Sequence, residues 1–563
     1  MIGRLKLQLE TRFFILGQIV LFFFASNYLM SSFNCRLDIS KSGRFQLTDS
    51  TKKIVNELQE TVYIDAYYSS DIPAEYKARI TLAQEILKEI QSVNSNKVKL
   101  RFYDPDSSES DKERAIELGI EPQTLQKIEM SSAQVKSAFL GVSLTMGKLS
   151  ETIPVVFFAE EVEYQILSNL KKMIRKQKNA SSGLGIIVEE GSLDAPQPGP
   201  RSGKDTFGVF VYQAFAPEYG SVFSFGVNED PLPEDLDTVL IVGSPELTDL
   251  GRYHIDQFLM RGGNLLIFAK SMDFNLQSPS QMGQLTMGSQ GFAQPVQNIS
   301  GYNEFFSHYG FSVNTDMVFD KVNSMPMGPI VQTEQGGFGR YHYPLWVLVG
   351  NEADNFSTSN PITRDQEILL LPWVSSLEML SSKQPNVVIE PVIKSTASAF
   401  RKADYLFIGE KEVAKMDNLP DGEEYNLALH LKGKFISYFK DKTLPQFANQ
   451  TDFKESNDEG TESNIFVMGT PYLVSDLLIL REFRELYQGA NVPFLMNLID
   501  IVQGDEDLVL ARSKKPAFES LKTFSPSEEW VFSILNIFAL PFLIGIFAIV
   551  RLKSRNQGKW RNF

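Results

Sequence analysis

The stretch that comes nearest to a chemical motif is Gly199-Pro200-Arg201-Ser202-Gly203-Lys204-Asp205. A phosphate-binding loop needs four residues between its glycines, and after its lysine a Ser or Thr hydroxyl that holds Mg²⁺. Here three residues separate Gly199 from Gly203, and Asp205 stands in the hydroxyl's place. The segment reads as a solvated loop, so any ATPase that serves this chain must be another polypeptide. The four histidines, His254, His308, His342 and His430, include no i, i+4 pair of the kind a helical zinc site uses. No Gly-x-Ser-x-Gly elbow is present, and the single cysteine, Cys35, can neither form an internal disulfide nor find a pocket beside the apolar run that precedes it. Asp104 and Asp106 flank a proline, which makes them first a turn device, and in a chain with 69 acids such pairs arise by chance. No catalytic, metal-binding or cofactor-binding set emerges, and the chain reads as non-enzymatic.

One place could hold a ligand. The apolar strand Asp237 to Val242 ends in Gly243-Ser244-Pro245, and a helix follows from about Asp249 to Arg261. In a doubly wound sheet, ligands bind beyond the carboxyl ends of the strands, next to helix N-termini. Gly243, Ser244, Pro245, Thr248 and Asp249 therefore form the candidate crevice for a ligand or partner, with Thr248 or Asp249 serving as N-cap in preference to catalysis. A second candidate surface is Gly336-Gly337-Phe338-Gly339-Arg340 with Tyr341, Tyr343 and Trp346, unless those aromatics pack into their own core.

Alternating strands and helices must position these residues. Val62 to Tyr68 is strand-like, Ala74 to Ile90 has helical apolar spacing, and Val98 to Tyr103 is strand-like again. A helix at Lys112 to Leu118, strands near Phe139 to Met146 and Thr152 to Phe158, and a helix from Glu160 to Lys176 complete the order β-α-β-α-β-β-α, which resembles a thioredoxin-like arrangement. Without a Cys-x-x-Cys pair it can only be a scaffold. After the linker at Asn179 to Gly183 come the strand Gly185 to Val188, the strand and helix just described, Gly262-Gly263 as a turn, the strand Asn264 to Phe268, a helix at Asn303 to Tyr309 and the strand Ser463 to Met468. Apolar strands joined by helices predict a parallel sheet covered on both faces. The expected fold class is α/β, with a thioredoxin-like first domain over 31–178. A larger doubly wound, flavodoxin-like domain is expected over 183–525, with a flexible insertion near 440–462.

At the two ends lie uncharged apolar runs, Phe13 to Met30 and Val531 to Val550. Each approaches the ~20 residues that a helix needs to span a bilayer, and both read as transmembrane helices, the first retained rather than cleaved as a signal peptide. The tails, 1–12 and 551–563, carry formal charges of +2 and +5, which places both on the cytoplasmic side. Taking these from the chain's −15 leaves −22 for residues 13–550, so nucleic acid is a poor partner for the ectodomain between the spans. The expected location is the cytoplasmic (inner) membrane, with the ectodomain periplasmic or otherwise extracytoplasmic.

Several short segments in order resemble the GldG family, the gliding-motility-associated auxiliary subunits of ABC transporters. They are Arg36-Leu37-Asp38, Arg44 to Thr51, Tyr103-Asp104-Pro105, Glu161 to Tyr164, Val242 to Pro245, Asp256-Gln257-Phe258 with Arg261-Gly262-Gly263, Asn491 to Asn497 and Leu508 to Arg512. The resemblance implies a second domain similar to the GIFT domain of intraflagellar transport proteins. It also implies two partners, an ABC-2-type permease and a separate ABC ATPase subunit, and no cofactor. Ala269-Lys270-Ser271 stands where relatives often carry an acid. The function expected is that of a non-ATPase auxiliary or substrate-binding subunit of a transporter. The alternatives are a membrane-tethered cell-envelope hydrolase and a purely structural envelope scaffold.

Overall fold

The computed structural model describes residues 47–504 and Val509, apart from 130–131, 178–183, 200–202, 220–221, 276–290, 333–337, 351–353, 410–412, 414–421, 449–452, 456–460 and 481–482. Both apolar runs, both charged tails and Cys35 lie outside the described residues. Among the described residues no helix is long and apolar enough to cross a membrane.

The first sheet is built from β1 (Val62–Tyr68), β2 (Val98–Tyr103), β3 (Leu140–Met146) and β4 (Leu149–Ile153), in the spatial order β2-β1-β3-β4. β1 and β2 are parallel, whereas β3 runs antiparallel to both β1 and β4. The helices are α1 (Asp49–Glu57), α2 (Ala74–Val93), α3 (Glu109–Glu117) and α4 (Ala159–Gln177). Alternation in β1 sends Val62, Ile64 and Ala66 to one face, where they pack with Leu87 and Ile90 of α2 and Val162, Ile166 and Leu170 of α4. α1 starts where the Thr48 side chain accepts the Thr51 amide, and buried Glu163 of α4 accepts the hydroxyls of both threonines, which fixes the chain entry to the last helix. Pro154 ends β4 at Ile153, sooner than the apolar run to Phe158 predicts.

The second sheet has seven strands: β5 (Leu184–Ile187), β6 (Val222–Phe225), β7 (Thr238–Val242), β8 (Asn264–Phe268), β9 (Val387–Lys394), β10 (Asn426–Gly433) and β11 (Ser463–Met468). Their spatial order is β9-β10-β11-β8-β7-β5-β6. β11, β8, β7, β5 and β6 are mutually parallel, and β10 and β9 extend the sheet antiparallel. Counted along the chain, the parallel strands lie in the order 2-1-3-4-5, the doubly wound order whose direction of winding reverses between the first strand and the third. Side chains alternate between two buried faces. Leu240, Val242, Leu266, Phe268, Phe466 and Met468 pack with Phe494, Leu495 and Leu498 of the helix Val492–Val502. On the other face, Val239, Ile241, Leu265, Ile267, Ile465 and Val467 meet Ile255, Phe258 and Leu259 of the helix Asp249–Met260 and Tyr302 and Phe305 of the helix Ile299–Phe306. Burial on both sides is why these strands read as unbroken apolar runs. Beyond this sandwich, the strands Met272–Asn275, Phe292–Pro295, Asp316–Phe319, Ser324–Gln332, Phe338–Gly350, Ile368–Pro372, Phe400–Ala403 and Leu406–Phe407 form small antiparallel sheets around a third core that holds Trp346, Trp373 and Tyr472.

Candidate functional site

The carboxyl ends of β5 and β7 meet at the reversal of winding, and the loops that leave them are sewn together by backbone hydrogen bonds. The Leu193 amide donates to the Val242 carbonyl at 2.8 Å, that of Ser244 to Gly191 at 3.2 Å and that of Glu246 to Glu190 at 2.7 Å. So close an approach needs two glycines. Gly191 and Gly243 have φ of +90° and +108°, and a Cβ on Gly243 would lie 2.6 Å from the Gly191 carbonyl oxygen.

The structure thus places the five crevice residues along this seam. Ser244 is buried; its hydroxyl donates to the Lys270 carbonyl at 2.7 Å and accepts the Lys270 amide at 3.2 Å, and its own carbonyl accepts from Asn298. Pro245 is buried beside it. Thr248 is the N-cap of the Asp249–Met260 helix, accepting the Gly251 amide, while Asn228 Oδ1 accepts both the amide and the hydroxyl of Thr248. The carboxylate of Asp249 stands in water, 3.7 Å from Arg252.

Just outside the seam is a ring of four charges that the sequence does not announce. Lys204 Nζ lies 2.5 Å from Asp205 and 3.9 Å from Asp273; Lys270 Nζ lies 2.9 Å from Asp273 and 3.5 Å from Asp205. The two lysine side chains are only 21% and 14% exposed, so Lys204 and Asp205 do not form the free solvated loop expected of them. Their backbone is locked from below. Buried Asp476 accepts the Thr206 hydroxyl and the Val209 amide, each at 2.8 Å, and Ser475 donates to the Lys204 carbonyl at 2.6 Å. Burial raises the pKa of Asp273, but the hydrogen bond and charge of Lys270, with Lys204 behind, outweigh it and hold the carboxyl below its ordinary value. Tyr472 donates to Asp205 at 3.5 Å, and burial first, then the two aspartates, push its phenol far above the usual range.

Aromatic rings floor this ring of charges. Phe274 stacks on Trp373 at 4.6 Å, and Tyr472 meets both edge-on. Trp373 has φ of +49°, a strained conformation that costs about 1–3 kcal/mol and is imposed from both sides. The Trp373 amide donates to Leu345, the Pro372 carbonyl accepts from Thr470, and the Ser375 amide donates to Gly469. Tyr343 and Trp346 are fully buried in this core, so they belong to the interior and not to a contact surface; Gly336 and Gly337 lie outside the described residues. The histidines are spread through the structure and bound to it: His254 to the Val227 carbonyl, His308 to Ile436, His342 to Ser324, and His430 between Asn360 and Asn464. Asp104 and Asp106 cap the 69–71 and 104–106 turns, accepting from Ser69, Ser70, Asp71 and the Asp106 amide.

Chemically, both ammonium groups of the ring are paired with carboxylates and the ring is neutral. It joins two stretches of the chain, 204–205 and 270–273, and presents no base beside a nucleophile. The only signal for it in the sequence is Lys270 immediately after an apolar strand, together with Lys204-Asp205 in the failed phosphate loop. The carboxyl edge of this doubly covered parallel sheet is thus a place where loops are joined by hydrogen bonds and ion pairs. Comparison with known proteins is more specific. The family described as ABC-type uncharacterized transport system matches residues 183–498, more than half of the chain, and the chain belongs to that family of ABC transporter auxiliary components. It is a transport family and not an enzyme family. A domain of unknown function, DUF7088, matches residues 41–145. An uncharacterized protein of Borreliella burgdorferi is 22% identical over 537 residues, covering 93% of this chain and 94% of its own length.

Proposed function

We propose that the chain is the non-ATPase auxiliary subunit of an ABC transporter, similar to the GldG subunit, held in the cytoplasmic membrane by helices at 13–30 and 531–550. On this reading both termini are cytoplasmic, and the α/β body stands outside the membrane as the extracytoplasmic part of a complex with an ABC-2-type permease and a separate ATPase. The observation that carries the reading is the family match over 183–498. Two features of the sequence support it: an apolar run of membrane-spanning length at each end, and basic residues on the outer side of each run. The site supports contact in preference to catalysis, because the polar groups at the sheet's carboxyl edge are spent on joining loops. The seam at Gly243, Ser244, Pro245, Thr248 and Asp249 is then the place where a ligand or partner segment meets this edge.

Co-purification tests the proposal. Full-length chain extracted in mild detergent should bring down a multi-span permease and a nucleotide-binding subunit, with ATP turnover following the second protein. Recovery of the chain alone from intact membranes, or turnover by the isolated chain, would refute it.

A further inference from the structure

At the outer edge of the seven-stranded sheet, a covering turn leads into a relay of side-chain hydrogen bonds across four strands. Its members are Glu390 of β9, His430 of β10, Asn464 of β11 and Asn264 of β8, with Asn360 of the turn between Glu390 and His430. Main-chain groups fix its direction at both ends. The Asp237 carbonyl can only accept, so it takes an Asn264 N–H at 3.2 Å and leaves Asn264 Oδ1 to accept from Asn464 Nδ2 at 2.9 Å. Asn464 Oδ1 therefore faces His430 Nε2, at 3.1 Å. At the other end the Ile362 amide can only donate, and it holds Asn360 Oδ1 at 3.1 Å. Asn360 Nδ2 then spends its two hydrogens on Glu390, at 2.8 Å, and on His430 Nδ1, at 3.1 Å. Both ends demand the same ring, neutral, with its one proton on Nε2 and a lone pair on Nδ1.

The ring and Asn360 are both buried. A proton on Nδ1 would meet the Asn360 N–H groups head on and leave a buried cation without an acceptor. Burial first, with Lys432 adding to it, holds the imidazole below its ordinary value of 6.5, while the Asn464 bond and Glu390 pull the other way. The charges of the neighbouring elements are engaged or in water. Lys394 of β9 is bonded to Glu424, Arg364 lies 3.5 Å from Asp365, and Asp500 of the helix Val492–Val502 accepts from Tyr219. Asp354 and Glu367 stand exposed at the ends of the turn, and β11 carries no charged residue. What the relay holds in place is the cover of an edge strand. The Ser357 amide donates to the Val392 carbonyl at 3.0 Å and the Lys394 amide to the Asn355 carbonyl at 2.9 Å, so the turn pairs main-chain groups on the free side of β9. Glu390 also accepts the hydroxyls of Ser357 and Ser359, at 2.7 and 2.9 Å.

We propose that this relay is an acid-released latch: a second proton on His430 breaks its bond with Asn360, frees residues 355–363 from the sheet and uncovers the outer edge of β9. Once free, the ring returns to about 6.5. Between 6.5 and the lower latched value the released form carries one proton more. The ratio of released to latched chain then rises about tenfold for each pH unit of acidification, and above 6.5 the latch keeps its full stability. Hydrogen exchange of the full-length chain in detergent, read by mass spectrometry from pH 7.5 to 5.0 and corrected for the intrinsic effect of pH, tests this. Protection of residues 354–366 should fall about tenfold per unit below pH 6.5, while that of β7 stays unchanged. His430→Gln, which keeps one donor and one acceptor but takes up no proton, should hold its protection across the range. Asn360→Asp offers Nδ1 a carboxylate and sets that carboxylate beside Glu390, so it should reverse the dependence, with weak protection at pH 7.5 that rises towards 5.0. The latch is refuted if wild-type protection does not change with pH or if β7 loses its own at the same pH. A fall in His430→Gln or in Asn360→Asp equal to that of wild type would assign the release to another group and refute it as well.

Discussion

Asp273 shows what the ring of charges contributes at the level of one side chain. Its pKa is depressed in the folded chain, so its contribution to stability is present above the unfolded value of about 3.8 and is lost as pH falls through the lower folded value. Asp273→Asn should therefore lower the denaturation midpoint at pH 6, and the gap from wild type should close as pH is taken below about 3.8. The loss should not exceed about 1 kcal/mol, because the carboxyl is half exposed and screened by solvent. A gap that persists undiminished at acid pH would mean that the ion pairs contribute nothing. From sequence, Lys204 and Asp205 are visible only as a phosphate loop that fails. What makes them part of a site is Asp476, some 270 residues away, and no local pattern encodes that hydrogen bond. Ser244 was legible as a strand-end residue, but its partners, Lys270 and Asn298, come from other loops.

Among the elements, the seam between β5 and β7 is the most exacting. Gly243→Ala would place a methyl group against the Gly191 carbonyl in a left-handed backbone conformation, and it should destabilise the chain by about 2 kcal/mol or more in urea titration. Gly203→Ala meets open space and should change little, so it serves as the control. The elements that sequence reading located well are those with local punctuation. The Asp249–Met260 helix begins at a Thr N-cap and ends where Gly262 adopts φ of +102°. β8 and β11 start and stop at the residues their apolar runs predict. The elements it missed lack such marks. β9 contains Pro391, which argues against a strand, yet it forms the outer edge of the sheet, where the missing donor and a shift of register are tolerated. The Gln123–Glu129 and Ser132–Ala138 hairpin is largely polar, and Leu125, Ile128 and Val135 are too sparse to show the sustained apolar alternation that betrays a half-buried strand.

At the scale of the molecule, residues 47–173 and 184–509 gather separate hydrophobic cores, and the sequence showed an α/β alternation in each but not the spatial order of the strands, since β6, β9 and β10 carry no clear local signal. The proposed anchoring in a bilayer rests on composition alone. Reporters fused before Met1 and after Phe563 should both read cytoplasmic, since both tails are basic; an external reading at either end would overturn the proposed topology.

The stitching at the reversal of winding has a mechanical corollary. Folds of this strand order usually keep a crevice where their first and third strands part, and here three main-chain hydrogen bonds cross it, with the exposed Thr248 and Asp249 beyond them. The loops that leave β5 and β7 are thereby held to each other at the place where the two strands diverge.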